Sequence, residues 1–219
     1  LNEEKVLHIV KSLSETWAQK YQSEHERRPS AAKGLLTNPQ AGLSFILANS
    51  FARAGGEQAG YGSFAVQALI EVEKVQGSYE KFIQLPNAPE VLWENFIQLC
   101  TQKRVGINRK NNEGVVKGTV RLAQGSIHYN PFEYLGLNVV SNTVDTFLLL
   151  RNIPGIGDKI ASFITRDVVT ILDVENKISP ENQVLIQPID RWIKGFACLF
   201  WEELKGRAPS CARAINFYK

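Results

Sequence analysis

The sequence predicts an all-α protein, on three observations. Apolar residues recur at steps of three and four, strand-like alternation is absent, and helix-starting and helix-ending residues punctuate the segments. Val6, Val10, Leu13, Trp17 and Tyr21 form one apolar stripe on a first helix. Arg27-Arg28-Pro29-Ser30 and Gly34 are expected to break it. Asn38-Pro39 opens a second helix with Leu43, Ile46 and Leu47 apolar, and Gly55-Gly56 ends it. Further helices are expected over 63–74, 78–84, 89–101, 113–124 and 142–151. A polar stretch from Gln102 to Asn112, carrying Lys103, Arg104, Arg109 and Lys110, interrupts the pattern. After a glycine turn at 153–157, a helix runs to about Leu172. An irregular stretch then covers 173–188, and two last helices cover 190–204 and 209–217.

Composition sets the outer bounds. With 219 residues and 44% hydrophobic content, the chain can bury one sizeable core or two small ones. A net charge of +3 permits a polyanionic partner without requiring one. Cys100, Cys198 and Cys211 lie far apart with no paired or His/Cys ligand spacing, which argues against disulfide or metal roles and for a reducing compartment. No stretch reaches the roughly 18 uninterrupted apolar residues of a membrane span. Asn2-Glu3-Glu4-Lys5 does not read as a secretory leader. The expectation is a cytoplasmic protein with no membrane partner.

The most informative stretch is Ile153-Pro154-Gly155-Ile156-Gly157-Asp158-Lys159. Thr146-Phe147-Leu148-Leu149-Leu150 leads into it and Ile160-Ala161-Ser162-Phe163-Ile164 leads out. Two glycines bracketing one aliphatic residue let the backbone turn sharply, because glycine takes positive φ at little steric cost. The turn presents unpaired amides at the start of the next helix, a ready site for a phosphate. The bland alternative is a plain helix–helix turn whose glycines serve only as a cap. Lys159 falls in the first helical turn, where the macrodipole disfavours an ammonium. In a partly dry site such an amine is easier to deprotonate, and a neutral amine can attack a sugar C1′ to form a Schiff base. Asp190 stands at another expected helix start, where a carboxylate caps orphan amides and stays ionised. The same group can offset positive charge developing on a sugar as a base departs.

Leu150 to Ala161, with Pro188-Ile189-Asp190 downstream, resembles the signature of the helix-hairpin-helix DNA glycosylase superfamily, to which endonuclease III and the 8-oxoguanine glycosylases belong. The resemblance implies that Lys159 is the Schiff-base nucleophile and Asp190 the catalytic carboxylate. It also implies that Gly155, Ile156 and Gly157 form the hairpin that grips the DNA backbone. A lysine at this position implies a bifunctional enzyme, which removes a base and then nicks the strand. The separation of 31 residues between Lys159 and Asp190 is longer than in endonuclease III. It resembles the archaeal-type 8-oxoguanine glycosylase branch more closely. Gly55-Gly56-Glu57, followed by Tyr61 and Phe64, is similar to that branch, as is Phe163 four residues after Lys159.

An i, i+4 pair shares one helix face, so Phe163 can stack on an extruded base beside the attacking amine. Trp201, Phe217 and Tyr218 are candidates for the other wall. Lys103, Arg104, Arg109, Lys110, Lys117 and Arg121 form a candidate phosphate track. Asp158 departs from the pattern by placing a negative charge at the cradle. Only Cys198 and Cys211 stand in the C-terminal part, so no iron–sulfur cluster is expected. The resemblance allows a monovalent cation at the hairpin as a structural accessory and needs no metal for the chemistry.

The fold it implies is two helical lobes with a DNA cleft between them. One spans 36–164 and includes the hairpin; the other combines 1–35 with 165–219. The implied partner is damaged double-stranded DNA, met by a monomer in the cytoplasm at the nucleoid. 8-Oxoguanine is the favoured substrate and an oxidised pyrimidine the next. Competing readings are a non-catalytic helix-hairpin-helix DNA-binding protein and a helical scaffold with no DNA role.

Overall fold

The computed structural model describes residues 28–51 and 60–186. Among them are nine α-helices, three short 3-10 segments and no strand, so the all-α expectation holds for these residues. The helices are α1 (Arg28–Thr37), α2 (Pro39–Ser50), α3 (Tyr61–Gln76), α4 (Tyr79–Ile83) and α5 (Ala88–Gln102). They continue with α6 (Arg109–Gly125), α7 (Pro131–Val139), α8 (Thr143–Arg151) and α9 (Asp158–Ile171). The 3-10 segments are Ile127–Tyr129, Glu175–Lys177 and Gln183–Ile186.

Local chemistry explains most starts. Asn38, Ser78 and Asn142 each cap a helix, their side chains accepting the amides of Ala41, Lys81 and Asp145. Pro39 and Pro131 sit in first turns, where a missing N–H costs no helical bond.

Four places depart from the sequence reading. The α2 helix ends at Ser50, with Phe51 as its C-cap, short of the end expected at Gly55-Gly56. The expected break at Arg28-Pro29-Ser30 and Gly34 is instead α1, which starts at Arg28 and runs through Gly34. Pro29 falls in its first turn, the one place in a helix where proline is tolerated. The polar stretch to Asn112 is partly helical, because Asn108 caps α6 and starts it at Arg109. The α7 helix, nine residues long, was not expected. Its start carries the same Asn-Pro signal as α2. Asn130 accepts the amides of Phe132 and Glu133, and its amide nitrogen donates to the Leu35 and Leu36 carbonyls at 2.8 and 3.1 Å. One buried side chain therefore starts α7 and holds the end of α1.

Packing centres on α2, which touches α1, α3, α6, α7 and α9. Its Leu43, Ile46 and Leu47 are completely buried, as the apolar stripe anticipated. Phe51, Tyr61, Trp93 and Phe96 fill the space toward α3 and α5, with Phe51 stacked on Phe96 at 5.8 Å and Trp93 on Phe96 at 5.5 Å. One continuous core runs from Leu43 to Ile186. The expected first lobe, 36–164, contributes most of it, while 1–27 and 187–219 of the second lie outside the described residues. Among the described residues, no helix is long and apolar enough to cross a membrane.

Candidate functional site

The hairpin joins α8 to α9. Asn152 ends α8, its amide bonded to the Leu148 carbonyl. The Ile156 amide donates to the Ile153 carbonyl at 2.9 Å, with Pro154 second and Gly155 third at φ +91. This is the residue order of a type II turn, in which the third position needs positive φ and the second suits proline. Close approach adds a second constraint at Gly155, where a Cβ would lie 2.5 Å from the Asn111 carbonyl oxygen of α6. The α6 helix admits the turn through two glycines one helical turn apart. A Cβ on Gly114 would strike Pro154 at 2.6 Å, and one on Gly118 would strike Ile153 at 2.5 Å. Ile153 and Ile156 are buried, so the turn is clamped to the core while Pro154 and Gly157 stay exposed.

Gly157 corrects the sequence reading. Only Gly155 uses positive φ; Gly157 is extended, at φ −97 and ψ 177, and serves as the N-cap of α9. It offers no side chain to the first-turn amides, and a Cβ there would meet nothing within 4 Å. Among the described residues, the start of α9 therefore opens outward with no side chain capping it. Asp158, the departure from the family pattern, is held by Arg151, whose Nε lies 2.6 Å from its carboxylate. That pairing offsets the negative charge at the mouth of the cradle. Its signal in the sequence is a cation and an anion at the facing ends of the two hairpin helices.

On α9 the outward residues form a row. Lys159 and Phe163 are half-buried, and Lys159 Nζ lies 5.4 Å from the Phe163 ring centre. Arg166 stands on the far side of the row, with its guanidinium carbon 4.8 Å from the same ring centre. Its Nε and Nη2 both donate to Asp167, at 2.9 and 2.7 Å. Lys159, Phe163 and Arg166 thus stand at i, i+4 and i+7, and one aromatic ring receives two cations. The structure brings the expected pair Lys159 and Phe163 together. Arg166 was missed, although its heptad spacing from Lys159 is visible in the sequence. Phe163 is not a core aromatic: the buried residues of this helix are Ile160, Ala161, Ser162, Ile164, Thr165, Val168 and Val169.

Asp190, Trp201, Phe217, Tyr218, Gly55-Gly56-Glu57, Cys198 and Cys211 all lie outside the described residues. Comparison with protein-family models, curated proteins and solved structures returned no match.

The candidate phosphate track divides in two. Lys117 is bridged to Glu113 at 2.8 Å and to Glu90 at 3.5 Å, and Arg121 reaches Glu90 at 3.6 Å. The Glu113 hydrogen bond holds the Lys117 ammonium above the ordinary lysine range. These two cations are matched by carboxylates. Lys103, Arg104, Arg109 and Lys110 are exposed and make no ion pair among the described residues. A cavity of about 190 Å³ between α7 and α8 is lined by Tyr134, Asn138, Asn142, Asp145 and Leu149. None of its lining residues belongs to the hairpin or α9.

Proposed function

We propose that the protein is a bifunctional DNA glycosylase/AP lyase that excises an oxidised base, 8-oxoguanine first, through a Schiff base on Lys159. The observation that carries this reading is the lysine's placement. It sits in the first turn of the helix that an uncapped glycine hairpin opens, with an aromatic ring one turn further along the same half-open face.

In this reading the amides that open α9 receive a backbone phosphate, which positions the DNA without reading sequence. An extruded nucleotide lies against Phe163, which offers a π face to the damaged base. The Lys159 amine attacks C1′, and the C1′–N bond breaks with its electron pair leaving on the base, which takes up a proton. Loss of the amine proton and opening of the sugar leave an iminium between Lys159 and C1′. Removal of a C2′ proton then expels the 3′-phosphate by β-elimination and nicks the strand. Hydrolysis of the iminium releases the lysine. Asp190, by the family resemblance, offsets the positive charge that develops on the sugar.

A monovalent cation at the hairpin would use the turn's carbonyls. Ile153 oxygen accepts the Ile156 amide and retains a second lone pair, while Pro154 oxygen faces Gly114 of α6. Such a cation would brace the turn, and no step above uses it.

The test is incubation of the protein with duplexes carrying 8-oxoguanine, an oxidised pyrimidine or an abasic site. The reading expects strand nicking with a β-elimination end on the abasic duplex and on at least one oxidised base. Tight binding with no nicking on any of them would leave a non-catalytic helix-hairpin-helix binding protein.

A further inference from the structure

The elbow between α5 and α6 holds four exposed cations, Lys103, Arg104, Arg109 and Lys110, that no carboxylate neutralises among the described residues. It is a fixed platform. Val105 and Ile107 pack against the core between the charged positions, and the Tyr61 hydroxyl donates to the Gly106 carbonyl. At its far end Asn108 caps α6 by accepting the Asn111 amide. Asn111 is also the residue whose carbonyl stands against Gly155 of the hairpin. Lys110 directly precedes it and Arg109 stands two residues before it, both in the first turn of α6, so the elbow adjoins the hairpin.

Arg104 supplies an independent observation. The α5 helix ends in a Schellman motif, with the Val105 amide on the Cys100 carbonyl at 2.9 Å and the Arg104 amide on the Thr101 carbonyl at 3.0 Å. That motif places Arg104 in the left-handed region at φ +55, a position normally given to glycine. An arginine there keeps a long cationic side chain at the exposed elbow at a backbone cost that glycine would avoid, a cost also met at Asp173, His128 and Tyr129.

We infer that the elbow from Lys103 to Lys110 is a second phosphate-gripping surface, contiguous with the hairpin, that holds the backbone of the same DNA duplex. The inference rests on the DNA reading above and extends the grip from one turn to a platform that spans two. Lys117 and Arg121, already matched by Glu90 and Glu113, stand outside it.

Binding of an undamaged duplex, followed by anisotropy from about 50 to 200 mM salt, tests this, because each phosphate contact contributes about 0.9 to the slope of log affinity against log salt. Arg104→Gly is expected to raise Tm, since glycine suits the strained position, and to make the slope shallower by about 0.9. Replacing Lys103, Arg109 and Lys110 with Gln in the same chain should remove about 3 to 4 in total. Lys74→Gln removes the same charge near the far end of α3, about 20 Å along the helix from Tyr61, and should leave the slope unchanged. A wild-type slope in both elbow variants, or an equal loss in Lys74→Gln, would overturn the inference. Nicking with unaltered elbow slopes sinks the platform alone, and altered slopes without nicking sink the lyase chemistry alone.

Discussion

On the inward side of α9, Ile160, Ala161, Ile164, Thr165, Val168 and Val169 are buried, whereas Lys159, Phe163 and Arg166 on the outward side remain partly open. The hairpin that opens this helix divides in the same way. Gly155 turns inward against α6 under a conformational and a steric demand, while Gly157 is extended, exposed and uncrowded. Two residues of the same type, one position apart, therefore answer to different constraints. The inward set is explained by the fold. The outward set is not: a fold needs neither an uncapped helix start nor an aromatic ring held between two cations. What the fold leaves unexplained is where function is best sought.

If the division is right, substitutions on the two sides should separate stability from DNA chemistry. The largest stability loss is expected for Ile164→Ala, at about 2–5 kcal/mol from lost burial and the cavity left behind. Chemical denaturation would read it, and a loss under 1 kcal/mol would place the core boundary elsewhere.

The core also carries a pH signature. Burial pushes the Cys100 thiol up to about 11 from its ordinary 9.0, and burial raises the Tyr79 hydroxyl as well. Both favour the protonated, folded form. That stability is complete below pH 9 and fades as pH rises toward 11. Tm should hold to about pH 9 and then fall, and Cys100→Ala should flatten the first part of the decline. An equally steep fall in that variant would remove Cys100 from the account.

Within the hairpin, Gly155→Ala should cost about 2 kcal/mol from its positive φ, and more if the Asn111 carbonyl cannot move aside. Gly157→Ala should change stability by less than about 0.5 kcal/mol, because its Cβ would enter open space, yet weaken binding of duplex DNA. Equal stability losses at the two glycines would erase the distinction between them. A small fold effect also goes with the clearest functional one. Phe163→Ala should leave the fold within about 1 kcal/mol but slow base excision roughly 5- to 100-fold, the value of one aromatic stack on a base. An unchanged excision rate would make the ring a surface aromatic.

Much of this division was legible in the sequence. The helix stripes around Leu43, Ile46 and Leu47, the caps at Asn38 and Asn142, and the adjacency of Lys159 and Phe163 follow from local chemistry, which a single segment expresses. What was not legible depends on partners distant in the chain. Nothing local says that Gly114 and Gly118 make room for the hairpin, or that Glu90 and Glu113 neutralise two of six candidate phosphate-binding cations. Gly157 was misjudged because a glycine's preference for positive φ is permissive and does not compel it. The α7 helix was legible at its start, since Asn130-Pro131 is the same signal as Asn38-Pro39.

The central claim is that Lys159 is the nucleophile which the hairpin delivers to an extruded nucleotide. Borohydride reduction during incubation with 8-oxoguanine or abasic-site duplex, followed by mass mapping of the cross-link, tests it most directly. The account predicts a covalent protein–DNA adduct on the peptide containing Lys159, absent in Lys159→Ala. A wild-type protein that traps no DNA, or a Lys159→Ala variant that traps as well as wild type, would contradict it.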